Sequence, residues 1–222
     1  MHIIKDIKRP SKELVSEFVK LPSATVIEAA GKKGAMAYQI KPLDREMKLC
    51  GSALTVASHV GDNITLHKAI TVAQPGDVLV ADVGDYREAG GWGEITTTAA
   101  RMRGIVGLVI NGCVRDAARI RELKFPVFCL GLSIKATVKE TLGYINYPIC
   151  CGGVQVKAGD IVLGDEDGVV VISLEEAEEV LKKSQERERK ESAIIEEIRR
   201  GKTTMDLLGF DKVLEKEGLR RQ

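Results

Sequence analysis

The apolar residues of this chain change their spacing several times, and each spacing predicts a different secondary structure. Near the start, apolar positions recur every three to four residues, which is typical of one face of a helix. They are Leu14, Val15, Phe18 and Val19. We predict this helix over 11–20, ended by Pro22, and a second helix over 23–30, because Gly31 and Gly34 follow it.

Between residues 50 and 130, short apolar runs alternate with helical patterns. The predicted strands cover 50–60, 78–83, 105–111 and 126–130. One predicted helix is capped by Asp62 or Asn63 and runs to 73. Two more predicted helices cover 94–103 and 115–123. Strands that are joined by helices pair in parallel, with right-handed crossovers. We therefore predict a parallel sheet for this part of the chain.

The pattern changes again after residue 143. From 144 to 173, glycine pairs and Gly-Asp turns separate short β-rich runs, which predicts antiparallel strands. From 174 to about 200, a dense mixture of Glu, Lys and Arg predicts a long helix, and two short helices follow near 204–208 and 211–217. The expected fold is α/β with a mixed sheet: one compact domain over 1–174 and a helical C-terminal extension over 175–222.

Composition narrows the classes of function. Lys+Arg number 33 against Asp+Glu 32, and only 4% of residues are aromatic, so the chain lacks both the charge and the rings that bind nucleic acid. Its apolar runs are far shorter than the roughly 20 residues that cross a bilayer, and its start lacks a signal-peptide pattern. We expect a cytoplasmic protein with no nucleic-acid or membrane partner. Its five cysteines have no disulfide or zinc spacing.

Several common catalytic motifs are missing from the sequence. The three histidines lack metal-ligand spacing. The glycines around Trp92 form neither a phosphate-binding loop nor the dinucleotide fingerprint, and a serine nucleophile elbow is also missing. The sequence therefore supports neither a zinc site nor a nucleotide cofactor.

Polar residues follow two of the predicted parallel strands at their carboxyl ends, where open α/β sheets bind ligands. The first loop, 82–93, leads into a helix that begins at Glu94, and free N–H groups at a helix start favour an anion. The second carries Arg115 and Asp116 at the next helix start. A guanidinium suits carboxylate or enolate oxygens and an aspartate suits a divalent cation, which together favour a 2-oxo acid. The same residues are also typical of helix caps and surface ion pairs, an alternative that spacing leaves open.

Several motifs, in a fixed order, resemble the RraA-like superfamily and, within it, the class II 4-hydroxy-4-methyl-2-oxoglutarate/4-carboxy-4-hydroxy-2-oxoadipate aldolases. They are SATVIEAAG over 23–31, PGDVLV over 75–80, Gly93 to Ile95, NGCVRD over 111–116, FPVF over 125–128, and Gly159-Asp160 through DEDGVVV over 165–171. The superfamily signature is an acidic residue, twenty intervening positions and then Arg-Asp. Glu94 and Arg115-Asp116 match that spacing.

The resemblance implies a swivelling β/β/α-type fold and a lyase that depends on Mg²⁺ or Mn²⁺. Such enzymes cleave a 4-hydroxy-2-oxo acid, of the 4-hydroxy-4-methyl-2-oxoglutarate type, to pyruvate and a second carbonyl compound, often with oxaloacetate decarboxylase activity. The resemblance implies that Asp116 binds the metal, Arg115 holds the pyruvyl oxygens and stabilises the enolate, and Glu94 orients a water on the metal. The substrate carboxylate would lie on the backbone of Gly93, Ile95 and Thr96.

The resemblance also implies a homo-oligomer, a trimer or a hexamer, with sites between subunits. Glu28 is the candidate residue that a neighbouring chain would contribute. Ile27 stands where the aldolase subgroup commonly has a histidine, and Glu94 where many relatives have aspartate, so the substrate within the class is left open. The superfamily's namesake inhibits ribonuclease E by protein–protein contact, which makes a non-catalytic regulator the alternative function. Some relatives carry the label of a methyltransferase. The sequence does not support that function here, because this chain lacks the glycine-rich loop that would bind S-adenosylmethionine.

Overall fold

A computed structural model of the chain describes residues 2–84 and 86–218. Its helices are α1 (Lys12–Phe18), α2 (Ser23–Ala29), α3 (Ile64–Val72), α4 (Glu94–Met102), α5 (Ala117–Glu122), α6 (Ala177–Arg199), α7 (Thr204–Leu208) and α8 (Phe210–Lys216). Its strands are β1 (His2–Ile3), β2 (Lys41–Pro42), β3 (Leu49–Ala57), β4 (Asp77–Asp82), β5 (Gly107–Ile110), β6 (Cys113–Val114), β7 (Val127–Cys129), β8 (Gly131–Leu132), β9 (Tyr144–Ile145), β10 (Ile149–Cys151), β11 (Val154–Val156), β12 (Ile161–Asp165) and β13 (Gly168–Ile172). Each predicted helix is present, within a few residues of its predicted ends. Asp85 and residues 219–222, the end of the predicted extension, lie outside the described residues.

Four strands form the parallel centre of the sheet, as predicted. β3, β4, β5 and β7 pair in that order, so that Leu54 lies beside Leu79 and Leu79 beside Leu108. All three side chains are fully buried, because both faces of a parallel sheet are covered by other elements. Since the four strands run the same way, their carboxyl ends meet at one edge of the sheet.

β3 joins this parallel centre to the antiparallel part of the sheet. Its first half pairs with β12, which forms a hairpin with β13, and its last two residues pair with β9. These antiparallel pairings confirm the prediction for 144–173. The sequence pattern did not predict that β12 and β13 extend the central sheet. β12 pairs with β3, which lies far away in the sequence, and such pairing does not show in the local pattern of apolar residues.

The core divides into three apolar clusters. One includes Leu66 of α3, Ala100 of α4 and Ile120 of α5, packed on one face of the sheet. A second includes Cys151 and Val156 of the β10–β11 hairpin. The third packs β12 and β13 against α1, α2 and α6, and includes Phe18, Val26, Val170 and Val180. The site described below lies beside the first cluster, on the loops that lead into α4 and α5.

The long helix α6 attaches to the body through its first half. Its buried residues are Ala177, Val180 and Ser184, and the Thr25 hydroxyl of α2 donates a hydrogen bond to Glu188. Ile195 and Ile198, in the second half, are exposed. Within residues 2–84 and 86–218, no helix is long and apolar enough to cross a membrane.

Candidate functional site

The loop before α4 and the start of α5 enclose an open cleft beyond the carboxyl ends of β4 and β5. Its volume is about 160 Å³, well below the roughly 300–1,000 Å³ that is usual for drug-sized ligands, so a small acid suits it better than a nucleotide. The lining residues are Asn63, His67, Gly90, Gly91, Trp92, Gly93, Ile95, Thr96, Arg115, Asp116, Ala136, Thr137 and Lys139. They include five of the seven predicted site residues: Gly93, Ile95, Thr96, Arg115 and Asp116.

Arg115 and Asp116 reach the cleft because the chain turns sharply between β6 and α5. Asp116 has a φ of 57°, in the left-handed region that aspartate tolerates better than most residues. For this reason α5 begins at Ala117, and the predicted start at Arg115 was wrong by two residues. The Arg115 Nε lies 3.8 Å from Asp116 Oδ2, and both side chains are partly exposed. The guanidinium therefore keeps N–H groups available for a ligand.

The Asp116 carboxylate lies over the start of α4. The Glu94 N–H donates to Asp116 Oδ2 at 3.0 Å, which leaves Oδ1 without a hydrogen bond to any described residue. Glycine is required at position 93, because a Cβ there would lie 2.3 Å from Asp116 Oδ2. The Thr96 hydroxyl accepts from the Gly93 N–H at 2.9 Å and donates to the Gly93 carbonyl. Helix start and carboxylate thus hold each other in place.

Two backbone N–H groups of α4 are placed to bind an anion. Ile95 and Thr96 occupy the second and third positions of the helix, where an α-helix offers no carbonyl one turn earlier. The Trp92 carbonyl, which lies one turn before Thr96, instead accepts from the Arg115 N–H at 2.8 Å. The helix dipole adds a partial positive charge at the same place. Ile95 and Thr96 both line the cleft.

Trp92 anchors the glycine loop. Its ring is buried and stacks on Phe125 with centroids 6.3 Å apart, while its Nε1–H donates to the Thr97 hydroxyl at 2.7 Å. A buried indole whose N–H is satisfied gives a rigid support. Sequence analysis assigned no role to Trp92, which fixes where the loop enters α4.

The two predicted glutamates are not among the residues that line the cleft. The Glu94 side chain is exposed. The pKa of Arg119 on α5 is raised mainly by the hydrogen bond that Arg119 donates to Glu122, and to a smaller extent by the charge of Glu94. Glu28 is exposed on α2 and lines a separate cleft with Glu176 and Lys183 of the α6 region. Within one chain, the structure does not bring Glu28 together with Arg115.

Sequence analysis missed four polar residues that line the cleft: Asn63, His67, Thr137 and Lys139. Asn63 and His67 are four residues apart at the start of α3 and therefore share a face, a signal that could have found them. The Asn63 Nδ2 donates to the Gly91 carbonyl at 3.1 Å. Burial lowers the pKa of His67, and the positive charge of Lys139 lowers it further, so the imidazole is neutral near pH 7. Lys139 lies on an irregular segment without a local sequence signal.

Asp62 holds that segment against the body. Its buried carboxylate accepts from the N–H groups of Ile64, Glu140 and Thr141 at 2.8, 2.6 and 2.7 Å. Burial opposes the ionisation of Asp62, but these three donors lower its pKa below the usual value. The segment that carries Lys139 is thereby fixed beside α3.

The side chains that one chain offers would suit a metal ion that keeps most of its water ligands. Among the described residues, no group of three or more His, Cys, Asp or Glu side chains is arranged to hold a metal ion. A single carboxylate with one oxygen free, as at Asp116, fits Mg²⁺, which is commonly bound by one or two carboxylates together with waters and substrate oxygens.

Comparison with known proteins shows the family of this chain. The family model RraA-like, described as Aldolase/RraA, matches residues 23–171. A protein of Halalkalibacterium halodurans named "Putative 4-hydroxy-4-methyl-2-oxoglutarate aldolase" is 37% identical over 182 residues, which cover 82% of this chain and 86% of that protein.

Two solved structures share the architecture. An uncharacterized protein from Pseudomonas syringae aligns with a TM-score of 0.81 at 24% identity over 91% of this chain and 95% of that one, a likeness of fold alone. Streptomyces coelicolor RraAS2, described as an unusual member of the RNase ES inhibitor RraA family, aligns with a TM-score of 0.76 at 28% identity over 89% of this chain and 100% of that one. On these matches, together with the cleft built from Gly93, Arg115 and Asp116, the chain belongs to the RraA-like family.

Proposed function

We propose that this protein is a lyase that cleaves a 4-hydroxy-2-oxo acid, of the 4-hydroxy-4-methyl-2-oxoglutarate type, to pyruvate and a second carbonyl compound. We also propose oxaloacetate decarboxylation as a second activity and Mg²⁺ or Mn²⁺ as the cofactor. The observation that carries the proposal is the convergence of the α4 amides, the Arg115 guanidinium and the Asp116 carboxylate on one small cleft. The names of the sequence relatives support the same class of reaction.

Substrate binding follows from the charges of the cleft. The 2-oxo carboxylate lies on the N–H groups of Ile95 and Thr96, where the helix start favours an anion. The Arg115 guanidinium then faces the 2-oxo oxygen. Arg115 is partly exposed, and among the described residues it has no closer carboxylate than Asp116, 3.8 Å away, so its free N–H groups can donate to that oxygen.

In the cleavage step the C3–C4 bond breaks. The C4 hydroxyl loses its proton and becomes the second carbonyl, and the electron pair of the broken bond forms the pyruvate enolate. Arg115 stabilises the negative charge that develops on the enolate oxygen, and a proton then adds to C3 to give pyruvate. We assign to Glu94 the orientation of the water that accepts the hydroxyl proton. Its exposed side chain does not line the cleft of the isolated chain, so it must turn toward the substrate for this role.

The residues present fit a divalent cation. Asp116 would hold it, because Oδ2 is fixed by the Glu94 N–H while Oδ1 is free among the described residues, and the missing Cβ of Gly93 leaves room beside that carboxylate. A bound cation would polarise the 2-oxo group and so make C3 a better leaving carbanion.

Pyruvate release tests the proposal. The purified protein is given 4-hydroxy-4-methyl-2-oxoglutarate or oxaloacetate, with Mg²⁺ or Mn²⁺ and again with EDTA. We expect metal-dependent release that Arg115→Ala and Asp116→Ala each abolish without loss of fold. The matched control is Arg101→Ala, which removes an exposed guanidinium from the other end of α4. Near-normal rates in either cleft variant would contradict the assignment of the site.

A second candidate function is regulation of ribonuclease E by direct contact. It is favoured by the likeness to the Streptomyces coelicolor RNase ES inhibitor family. Inhibition of purified ribonuclease E by this protein, unchanged in Arg115→Ala and in EDTA, together with no pyruvate release from either acid, would favour regulation over catalysis.

We further infer that the chain forms a homo-oligomer, a trimer or a hexamer, in which Glu28 completes the cleft of a neighbouring copy. Mixing two inactive variants, Arg115→Ala and Glu28→Gln, tests this idea. If sites are shared between chains, some clefts of the mixed oligomer contain both native residues and activity returns. No recovery after subunit exchange, or full activity of Glu28→Gln alone, would contradict it.

A further inference from the structure

The side chain of Asn111 joins the ends of two central strands. Asn111 directly follows β5 and is buried. Its Oδ1 accepts from the Val83 N–H at 2.7 Å, and its Nδ2 donates to Asp82 Oδ1 at 2.8 Å. Asp82 is the last residue of β4, and Val83 is the first residue of the loop that leads to α4. Asn111 is not among the residues that line the cleft, so a substrate bound there would not contact it.

Both ends of the Asn111 amide are used, and the two partners determine its orientation. The Val83 N–H can only donate, so it faces Oδ1, and an ionised Asp82 carboxylate can only accept, so it faces Nδ2. An aspartate at position 111 would place two carboxylates face to face, and a leucine would leave the buried N–H of Val83 without a partner. The connection therefore requires a side chain that both donates and accepts.

Close packing beside Asn111 stiffens this connection. A Cβ on Gly112 would lie 2.4 Å from Cγ2 of Val83, so the loop lies directly on the backbone that follows Asn111. The Gly84 N–H donates to Asp82 Oδ1 at 2.9 Å, the same oxygen that accepts from Asn111. The first residues of the loop are thus fixed relative to the end of β5.

The two segments that leave this connection carry the two halves of the cleft. One is the loop, which leads to Gly93 and the amides of α4. The other continues through β6 to Arg115 and Asp116. The segments meet again at the cleft, where the Arg115 N–H donates to the Trp92 carbonyl at 2.8 Å. A shift of the loop at its start would therefore move the α4 amides relative to the Arg115 guanidinium.

Apolar packing links the start of the loop to Trp92. Val83, whose N–H Asn111 holds, has its buried side chain in the same apolar cluster as the Trp92 ring. Ile110, the residue before Asn111, belongs to this cluster as well. Protein interiors are close-packed, so the displacement of one buried side chain affects its neighbours. Since the Trp92 carbonyl holds the Arg115 N–H, Trp92 connects the start of the loop with the cleft.

We propose that Asn111 is a positioning residue of the cleft. It fixes the loop that leads to α4 relative to the segment that carries Arg115 and Asp116, and it does so without contacting the substrate. This inference rests on the proposed function. Because a misplacement of about 1 Å in a reacting constellation costs roughly 100-fold in rate, the Asn111 amide should affect turnover although it lies outside the cleft.

Trp92, the single tryptophan of the chain, reports the position of the loop without any reaction. Its ring is buried, so a displaced loop should move its fluorescence emission to longer wavelength and increase quenching by acrylamide. We expect this change in Asn111→Asp, in which two carboxylates meet. We also expect it in Asp82→Ala, which removes the same contact from a partly exposed position and buries no new charge.

A double variant tests whether the contact itself causes the change. In Asp82→Asn/Asn111→Asp, an amide again faces a carboxylate, with donor and acceptor exchanged, so the Trp92 emission should return toward the wild-type value. The rate of pyruvate release from oxaloacetate, per folded molecule, should follow the emission. Asn111→Asp should lower kcat about 100-fold and leave KM within about threefold, and the double variant should recover at least about tenfold.

The matched control is Asn146→Asp. Asn146 is also buried, and its Nδ2 donates to the Ile4 carbonyl, away from the residues that line the cleft. The same substitution there should lower the melting temperature but leave the Trp92 emission and kcat unchanged. Circular dichroism gives the folded fraction of each variant.

Three results would overturn the proposal. They are wild-type emission in both Asn111→Asp and Asp82→Ala, a change of the same size in Asn146→Asp, and no recovery in a folded double variant. The lyase function can fail separately. If the emission changes and recovers as expected but no form of the protein, the wild type included, releases pyruvate, then Asn111 positions the loop and the lyase function is contradicted.

Discussion

The Gly93→Ala substitution should disturb the geometry of the site and leave the stability of the fold nearly unchanged. The backbone at Gly93 is extended, with φ −159°, so alanine can adopt it without strain. The new Cβ would lie 2.3 Å from Asp116 Oδ2 and 3.3 Å from Arg115 Cγ. A carbon and an oxygen in contact usually stay about 3.3 Å apart, so the Asp116 carboxylate must move by about 1 Å.

The displacement should reduce activity far more than stability. Asp116 is half-exposed at the end of a short side chain, so it can turn into solvent for less than about 1 kcal/mol. A misplacement of about 1 Å in a reacting constellation, however, costs roughly 100-fold in rate. We therefore expect Gly93→Ala to lower kcat/KM for pyruvate release from oxaloacetate by about 100-fold, with the melting temperature within a few degrees of wild type.

Gly164→Ala is a control that should reduce the stability of the fold without changing the site. Its Cβ would lie 2.9 Å from the buried Phe128 ring, and overpacking of a core costs about 1–3 kcal/mol, or roughly 2–12 °C for a chain of this size. Its rate per folded molecule should match the wild type. If Gly93→Ala kept more than half of the wild-type rate, the reasoning would be refuted, because either the carboxylate does not move or its position does not matter.

Three further outcomes are expected. Arg9→Met leaves the buried Asp77 carboxylate without the guanidinium that binds it at 2.8 and 2.9 Å, which should cost about 3 kcal/mol and lower the melting temperature in calorimetry by roughly 6–12 °C. Because the pKa of Asp62 is lowered in the folded chain, its charge stabilises the fold above the unfolded pKa of about 3.9 and this contribution is lost as the pH falls through the folded pKa. Asp62→Asn should flatten the acid side of the curve of melting temperature against pH. At pH 8 iodoacetamide should modify the exposed Cys150 long before the partly buried Cys50, as followed by mass spectrometry. Burial raises the pKa of the Cys50 thiol to about 12, so only about one Cys50 thiol in 10⁴ is ionised at pH 8. Equal rates would contradict this difference between the two thiols.

The periodic segments of the chain were the easiest to predict. The helix over 94–103 and the strand over 78–83 match α4 and β4 closely, because local spacing of apolar residues decides which face an element buries. The start of α5 was harder to predict. The left-handed backbone of Asp116 occurs where its side chain contacts the α4 start, and nothing in the adjacent residues marks it.

Some residues of the candidate site could also be predicted from the sequence, and others could not. Arg115, Asp116 and the start of α4 could be found from sequence because each follows a predicted parallel strand, and such strand ends meet at one edge. Lys139 could not be found, since its segment reaches the cleft only through the backbone hydrogen bonds to Asp62. Glu94 was expected in the cleft, but its exposed side chain is not among the residues that line it.

The succession of the longer strands and helices, the parallel centre of the sheet and the loops that carry the polar residues could all be predicted from the sequence, because they depend on periodicity and on neighbours along the chain. Which side chains share the cleft became known only from the folded structure. It placed Asn63, His67 and Lys139 across from Arg115, and it left Glu28 on another surface of the same chain. The physical reason is that a cleft is made by contacts between distant segments, whose hydrogen bonds and close approaches have no counterpart in local spacing.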